Sequence, residues 1–367
     1  MKVILYIGHH KVGSTALQVY LSQNWLRLAQ HGILYPAVET RGFANNLDKA
    51  LRGQERAAEL PVNIREPHSA LAYRMMSEVS LRQVPPQFKT LPAVGQMFLA
   101  LRHQVSWLKP DALILCSEAF ANFGQVDPAL IRRLRDQFPE AEFEIYCALR
   151  RPDDYMISWH GQRLKVGEKL PPLSDGGTEH YYDTIHFDYR TVLEAWAQEI
   201  PEARLIVRNY TDILAAGGST EDFAQQISIE LPEGMMPAGR ANASLPRAAM
   251  EIARRGNHEL PAPEATALRR YLMSRDSQLK PAPNKEVEMY GAPLRAAMAA
   301  RFAPLHDWLS DQTGQAAFFP DLAEMATPLP IPEAEAVADL LAQIDPAALP
   351  GETLRAYIRS LQRGNNG

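Results

Sequence analysis

The octet Gly8-His9-His10-Lys11-Val12-Gly13-Ser14-Thr15 is the segment of this sequence best equipped for chemistry. It stands between a short apolar run, Val3 to Ile7, and a stretch with helical spacing of apolar residues from Leu17 to Leu28. A glycine-bounded loop at the carboxyl end of a strand aims backbone N–H groups at one point, and the next helix adds the positive end of its dipole. Such a loop binds an anion. The P-loop of nucleotide hydrolases reads Gly, four residues, Gly-Lys, then Ser or Thr. The glycines here keep that spacing, but Ser14 occupies the lysine position and the lysine stands earlier, at Lys11. An ATPase loop without its lysine in place is a poor ATPase loop.

A second constellation is Arg150-Arg151-Pro152-Asp153-Asp154-Tyr155-Met156-Ile157-Ser158, directly after the apolar run Phe143 to Leu149. Pro152 suits the first turn of a helix, and Asp153 and Asp154 suit its positive end. Guanidinium holds phosphate bidentately, so Arg150 is a phosphate ligand candidate, with the Ser158 hydroxyl donating from the same side. Arg151 is either a second clamp or a solvated charge. Glu118 follows the apolar run Ala112 to Cys116 and is the leading candidate for a general base, with a pKa that burial would raise; helix capping or pairing with a cation is its other reading. His10, inside the loop, is the second candidate base; His160, on the same helix as Ser158, either faces the acceptor or is structural. His9 and His10 are adjacent and so point apart, and no H-E-x-x-H frame occurs, which speaks against a metal site. Tyr181, Tyr182 and His186 sit in a polar loop that either lines an acceptor pocket or carries surface aromatics. Arg247, Arg254 and Arg255 share a helix and either meet an anionic acceptor or form a solvated face.

The two motifs together resemble those of the sulfotransferases that use 3′-phosphoadenosine 5′-phosphosulfate (PAPS). In that family Lys-x-Gly-Ser/Thr-Thr follows the first strand, and an Arg ends a later strand with a Ser eight residues on. The resemblance implies PAPS as the cofactor. It implies that Lys11, Val12, Gly13, Ser14, Thr15 and Ala16 hold the 5′-phosphosulfate, and that Arg150 and Ser158 hold the 3′-phosphate. It further implies catalysis by Lys11 on the leaving-group side, with Glu118 or His10 as the base and no metal. The acceptor would be a hydroxyl or amine, on a glycan, a glycolipid or a small alcohol. Softer likeness reaches about residue 325, through Arg204 to Tyr210, Asn242 to Leu245 and Arg301 to Leu309. The glycine-rich basic motif that closes over the nucleotide in cytosolic animal enzymes has no clean copy here, so the adenine contacts stay open. Two other classes compete: a P-loop small-molecule kinase, which lacks its lysine and a Mg²⁺-binding Asp here, and a non-catalytic nucleotide-binding protein of the same fold.

These residues must be positioned by a fold, and the composition limits which. The chain has 367 residues, 46% hydrophobic and 22% charged, with a formal charge of -5. That balance excludes a disordered chain and a nucleic-acid footprint. Two cysteines, Cys116 and Cys147, exclude a disulfide framework. No run approaches the roughly 20 apolar residues of a membrane span. The N-terminal apolar run is too short for a signal peptide, so a cytoplasmic location is expected. Buried strands are expected at 3–7, 112–116, 143–149 and 205–207, with a small one within 32–36. Helices follow each, including a single one from Ser14 through Leu28. The fold class is therefore α/β, a P-loop NTPase-like parallel sheet flanked by helices. One domain is expected over 1–325, with a helical insertion at about 40–110 and a helical part at about 241–325 without strands. Residues 326–367 are expected to be a proline-rich linker, two short helices and a flexible end.

Overall fold

The computed structural model describes residues 1–52, 60–81, 83–88, 90–238, 244–274 and 277–364. Asn242, Ala243 and the last three residues of the expected flexible end lie outside the described residues. In chain order the elements are β1 (Lys2–Tyr6), α1 (Ser14–Gln23), α2 (Trp25–Gln30), β2 (Ile33–Leu34), α3 (Thr40–Arg52), α4 (Val62–Arg65), α5 (Pro67–Val79) and α6 (Val94–Leu108). Then come β3 (Ala112–Cys116), α7 (Phe123–Val126), α8 (Ala129–Arg135), β4 (Glu142–Leu149), α9 (Pro152–Lys165), α10 (Arg190–Glu199), β5 (Arg204–Asn209), α11 (Tyr210–Ala215) and α12 (Ser219–Gln226). The last are α13 (Arg247–Glu259), α14 (Ala262–Met273), β6 (Val287–Glu288), α15 (Ala292–Thr313), β7 (Ile331–Pro332), α16 (Glu333–Gln343) and α17 (Glu352–Gly364). The chain folds as two compact units, one from Met1–Arg150 and Asp188–Ala241, the other from Arg151–Phe187 and Asn242–Gly367.

The first unit is α/β. Its sheet has the order β2-β3-β1-β4-β5, and all four pairings are parallel. Every residue of β3 is buried, as are β1 from Val3 onward and β4 from Phe143 onward. Strands covered on both faces need continuous apolar runs, which is what these segments supply. The central strand is β1, with Tyr6 in register with Cys116 on one side and Tyr146 on the other. The chain leaves β1 toward the β2 and β3 side and leaves β4 toward β5. Their connections diverge at the carboxyl ends of β1 and β4, the kind of switch point where α/β sheets bind ligands.

One expected helix is two. Asn24 interrupts it, because its buried amide donates to the carbonyls of Tyr20 (2.8 Å) and Met236 (2.9 Å) and accepts from the Met236 N–H (2.7 Å). This side chain ties the helix break to a distant loop, a tertiary demand that periodicity does not reveal.

The second unit is helical, with α13 packed on α9, α14 and α16. It also corrects the expectation that strands stop after residue 240. A two-residue parallel ladder joins β6 to β7, with Val287 opposite Ile331. The proline-rich stretch before α16 is fastened as well: Glu288 accepts from the Leu329 N–H (2.7 Å), the Tyr290 N–H (2.8 Å) and the Gly291 N–H (2.9 Å). Arg295, 1% exposed, donates to Glu288 (2.7 Å) and lies 3.4 Å from Asp153. Among the described residues no helix is long and apolar enough to cross a membrane.

Candidate active site

The loop between β1 and α1 is built by close approach and left-handed backbone. Its amides continue the β4 ladder, Ile7 N–H to the Tyr146 carbonyl (2.9 Å) and His9 N–H to the Ala148 carbonyl (2.8 Å). Gly8 thus lies on the β4 backbone, and a Cβ there would fall 2.6 Å from the Ala148 nitrogen. Lys11 has φ of 62° and Gly13 a φ of 88°, both left-handed. The glycine takes that conformation without strain; Lys11 takes it at a cost, a pattern that clusters at functional loops. Gly13 caps α1, and its carbonyl accepts from the Ser219 hydroxyl (2.9 Å). Among the described residues no acceptor faces the amides of Val12, Gly13, Ser14 and Thr15. They are the orphan donors of a helix start, oriented for an anion.

Arg150 comes to this loop from the end of β4. Its Nη1 stands 3.5 Å from the Lys11 carbonyl oxygen, the outer limit of hydrogen bonding. The guanidinium also lies over the Tyr210 ring, 5.1 Å from the centroid. The Tyr189 hydroxyl donates to the Arg150 carbonyl (2.5 Å), and the buried His9 ring packs edge-on against Tyr189 (4.5 Å). His9 therefore supports the loop from beneath. Ser158, the other expected phosphate ligand, lies in α9 of the second unit and is partly exposed.

His10 turns the other way. Its Nδ1 is 3.7 Å from Glu118 Oε1, and both side chains are nearly covered. Glu118 also accepts from Gln18 Nε2 (3.1 Å) and from the Ser14 hydroxyl. Burial alone would raise its pKa, but His10, its own N–H and the Ser14 hydroxyl outweigh that and hold the carboxyl below the usual range. The raised pKa expected of a carboxylate base is thus absent. Ser14, expected to offer its hydroxyl to a phosphate, spends it on Glu118. Thr15 is exposed, and Val12 is fully buried.

Gln18 and His68 are the positioning residues that the sequence did not reveal. Gln18 Nε2 lies within hydrogen-bond reach of the Ser69 hydroxyl (3.0 Å) and the Cys116 carbonyl (3.2 Å) as well as Glu118. His68 Nδ1 accepts from the Cys116 N–H (3.1 Å), and its Nε2 meets the Pro36 carbonyl (3.1 Å). Together they fix α5 to the end of β3 and so set the direction of Glu118.

A cleft of about 1200 Å³ opens beside the loop. Val12, Gly13, Ala16 and Tyr20 form one side, and Tyr210 with Gly218 is among its other lining residues. Tyr210 begins α11, directly after β5.

Other candidates are structural. Arg151 is neither a clamp nor solvated: it pairs with Asp153 (2.8 Å), Asp321 (2.8 Å) and Glu324 (3.0 Å). His160, 2% exposed, meets the Tyr181 hydroxyl (3.0 Å), and burial with nearby cations pushes its pKa down to about 3. Tyr181 is itself buried, and His186 Nδ1 meets the Tyr155 hydroxyl (2.9 Å) while its ring stacks on Trp159. Arg247, Arg254 and Arg255 pair with Asp154, Glu251 and Glu259. Among the described residues no group of three or more His, Cys, Asp or Glu side chains is arranged to hold a metal ion.

The chain is similar to an uncharacterized protein of Archaeoglobus fulgidus, 33% identical over 149 residues, which are 40% of this chain and 39% of that protein. The match spans well under half the length of that relative. No family model matches the chain, and no solved structure does.

Proposed function

We propose that this protein is a P-loop-fold sulfotransferase that moves a sulfuryl group from PAPS to a hydroxyl or amine acceptor. The observation that carries the reading is the approach of Arg150 to the Lys11 carbonyl, 3.5 Å, at the switch point between β1 and β4. It brings a guanidinium to the backbone of the loop that carries Lys11, in a chain whose net charge is -5.

PAPS, when bound, supplies an activated sulfuryl group whose bond to the 5′-phosphate oxygen breaks as the acceptor attacks in line. The amides of Gly13, Ser14 and Thr15 hold the 5′-phosphate, helped by the Thr15 hydroxyl and the α1 dipole. Lys11 neutralises charge on the departing oxygen. Arg150 holds the 3′-phosphate. The cleft beside Gly13, with Tyr20 and Tyr210, suits a nucleotide base, because aromatic faces stack on bases. His10 is the better base of the two candidates. With Nδ1 protonated toward Glu118, the ring lone pair is on Nε2, which takes the acceptor proton. Glu118, ionised, orients the imidazole and stabilises its cation.

Calorimetry tests the reading. The product nucleotide, adenosine 3′,5′-bisphosphate (PAP), should bind without metal, and Arg150→Ala should cost about 1.5–3 kcal/mol. Equal affinity for PAP and adenosine 5′-phosphate would remove the 3′-phosphate assignment. Tighter binding of ATP–Mg²⁺ than of PAP would favour the kinase. Tight PAP binding with no turnover on any acceptor would favour the non-catalytic protein.

A further inference from the structure

Helix α3 is built inside out. It buries Gly42, Asn46 and Lys49, while Phe43, Leu47 and Leu51 stand exposed at i, i+4 and i+8. The buried lysine is accommodated because its ammonium donates to the Ser22 carbonyl (2.8 Å). Helix α6 behaves alike on its outer face, where Leu99 and Leu108 are exposed and Trp107 is 83% exposed. Between the two helices lies a cleft of about 1090 Å³, lined by Trp25, Phe43, Leu47, Ala100, Trp107 and Leu108. Two of its polar members are engaged with the protein: Gln104 bonds both the N–H and the carbonyl of Ala37, and Glu39 accepts from Asn63. Most of the surface that an occupant meets is apolar.

The charge around this patch is opposite to that of the chain. Residues 39–52 and 94–109 carry Arg41, Lys49, Arg52, Arg102 and Lys109 against two acids, Glu39 and Asp48, in a protein of net charge -5. Arg41, Arg52, Arg102 and Lys109 are all exposed. A protruding tryptophan and leucines flanked by exposed cations is the pattern of a surface that enters the interface of an anionic bilayer. A peptide groove would instead recess its anchors, whereas Trp107 and Leu51 (78% exposed) project.

We propose that the α3–α6 face docks this protein on an anionic lipid surface, with Phe43, Leu47, Leu51 and Trp107 entering the acyl boundary. The inference is independent of the sulfuryl-transfer reading. Co-flotation with vesicles of phosphatidylcholine alone, and with added phosphatidylglycerol, tests it on the full chain. Binding is expected to the mixed vesicles and to fall at high salt, because cations contribute through a screened field. The double substitution Leu47→Ser with Trp107→Ser should weaken it by about tenfold or more, and Arg41→Glu with Lys109→Glu should do the same. All four side chains are exposed, so an unchanged thermal melt is expected of both variants. No flotation with the mixed vesicles would overturn the proposal. So would equal flotation of native and variant proteins, or a dimer in light scattering that Leu47→Ser with Trp107→Ser abolishes, which would assign the face to a second copy.

Discussion

His10 and Glu118 face one another across 3.7 Å, and this pair joins the loop after the central strand to the turn after β3. The carboxyl is held below its usual range, so it serves as a fixed negative charge rather than a proton carrier near neutral pH. His10→Ala should therefore lower turnover by about 10²–10⁴-fold, the contribution of a positioned base. Glu118→Gln should lower it as well, while PAP affinity measured by calorimetry changes little. Near-native turnover in His10→Ala would move the base elsewhere.

Arg150 should not tolerate lysine. A point charge replaces a planar fork that also lies on Tyr210. Arg150→Lys should recover only part of the PAP affinity lost in Arg150→Ala. Tyr210→Ala should cost nucleotide affinity about 1–3 kcal/mol by loss of a stacking face, with Tyr210→Phe near native. Titration of PAP into each variant reads both.

The loop should be intolerant at Gly8 for a reason unrelated to ligand. Gly8→Ala would set a Cβ 2.6 Å from the Ala148 nitrogen and 2.9 Å from its carbonyl oxygen. Two backbone segments would have to part, at about 1–3 kcal/mol. Urea unfolding should show the loss without any nucleotide present.

His68 predicts acid sensitivity. Burial pushes its pKa down to about 3, against about 6.5 for an ordinary imidazole. The unfolded chain therefore binds the proton first, and stability falls as pH drops from 6.5 toward 3. Each pH unit in that window costs about 1.4 kcal/mol through this one group. His160, with a pKa also near 3, adds to the same window. His68→Gln keeps a donor for Pro36 and an acceptor for Cys116 but has no proton to bind. Its unfolding free energy should fall less steeply with acid than that of the native protein.

The strands were legible because burial on both faces writes them as apolar runs: Ala112 to Cys116 was found residue for residue, and β1, β4 and β5 within one or two. What stayed hidden depends on side chains reaching across the chain. Asn24 breaks a helix by bonding Met236, while Glu288 holds the Leu329 N–H and the Glu286 carbonyl accepts from Ile331, in a ladder that proline-rich sequence disguised. In the candidate site, Lys11, Gly13 and Arg150 were readable from motif spacing. Gln18 and His68, which aim Glu118, were not, because a single polar residue in a helical pattern carries no sign of its distant partner. The pKa of Glu118 lies below its usual range because His10, its own N–H and Ser14 outweigh burial, a balance that composition cannot weigh.

The fastening of Arg151 to Asp153, Asp321 and Glu324 means that the Arg150-Arg151 doublet contains no spare. Adjacent codons would give different phenotypes in a genetic screen. Loss at 150 would leave abundant, folded, inactive protein, whereas loss at 151 would strand carboxylates and show first as reduced abundance in the cell. Neither arginine could act as a suppressor of the other.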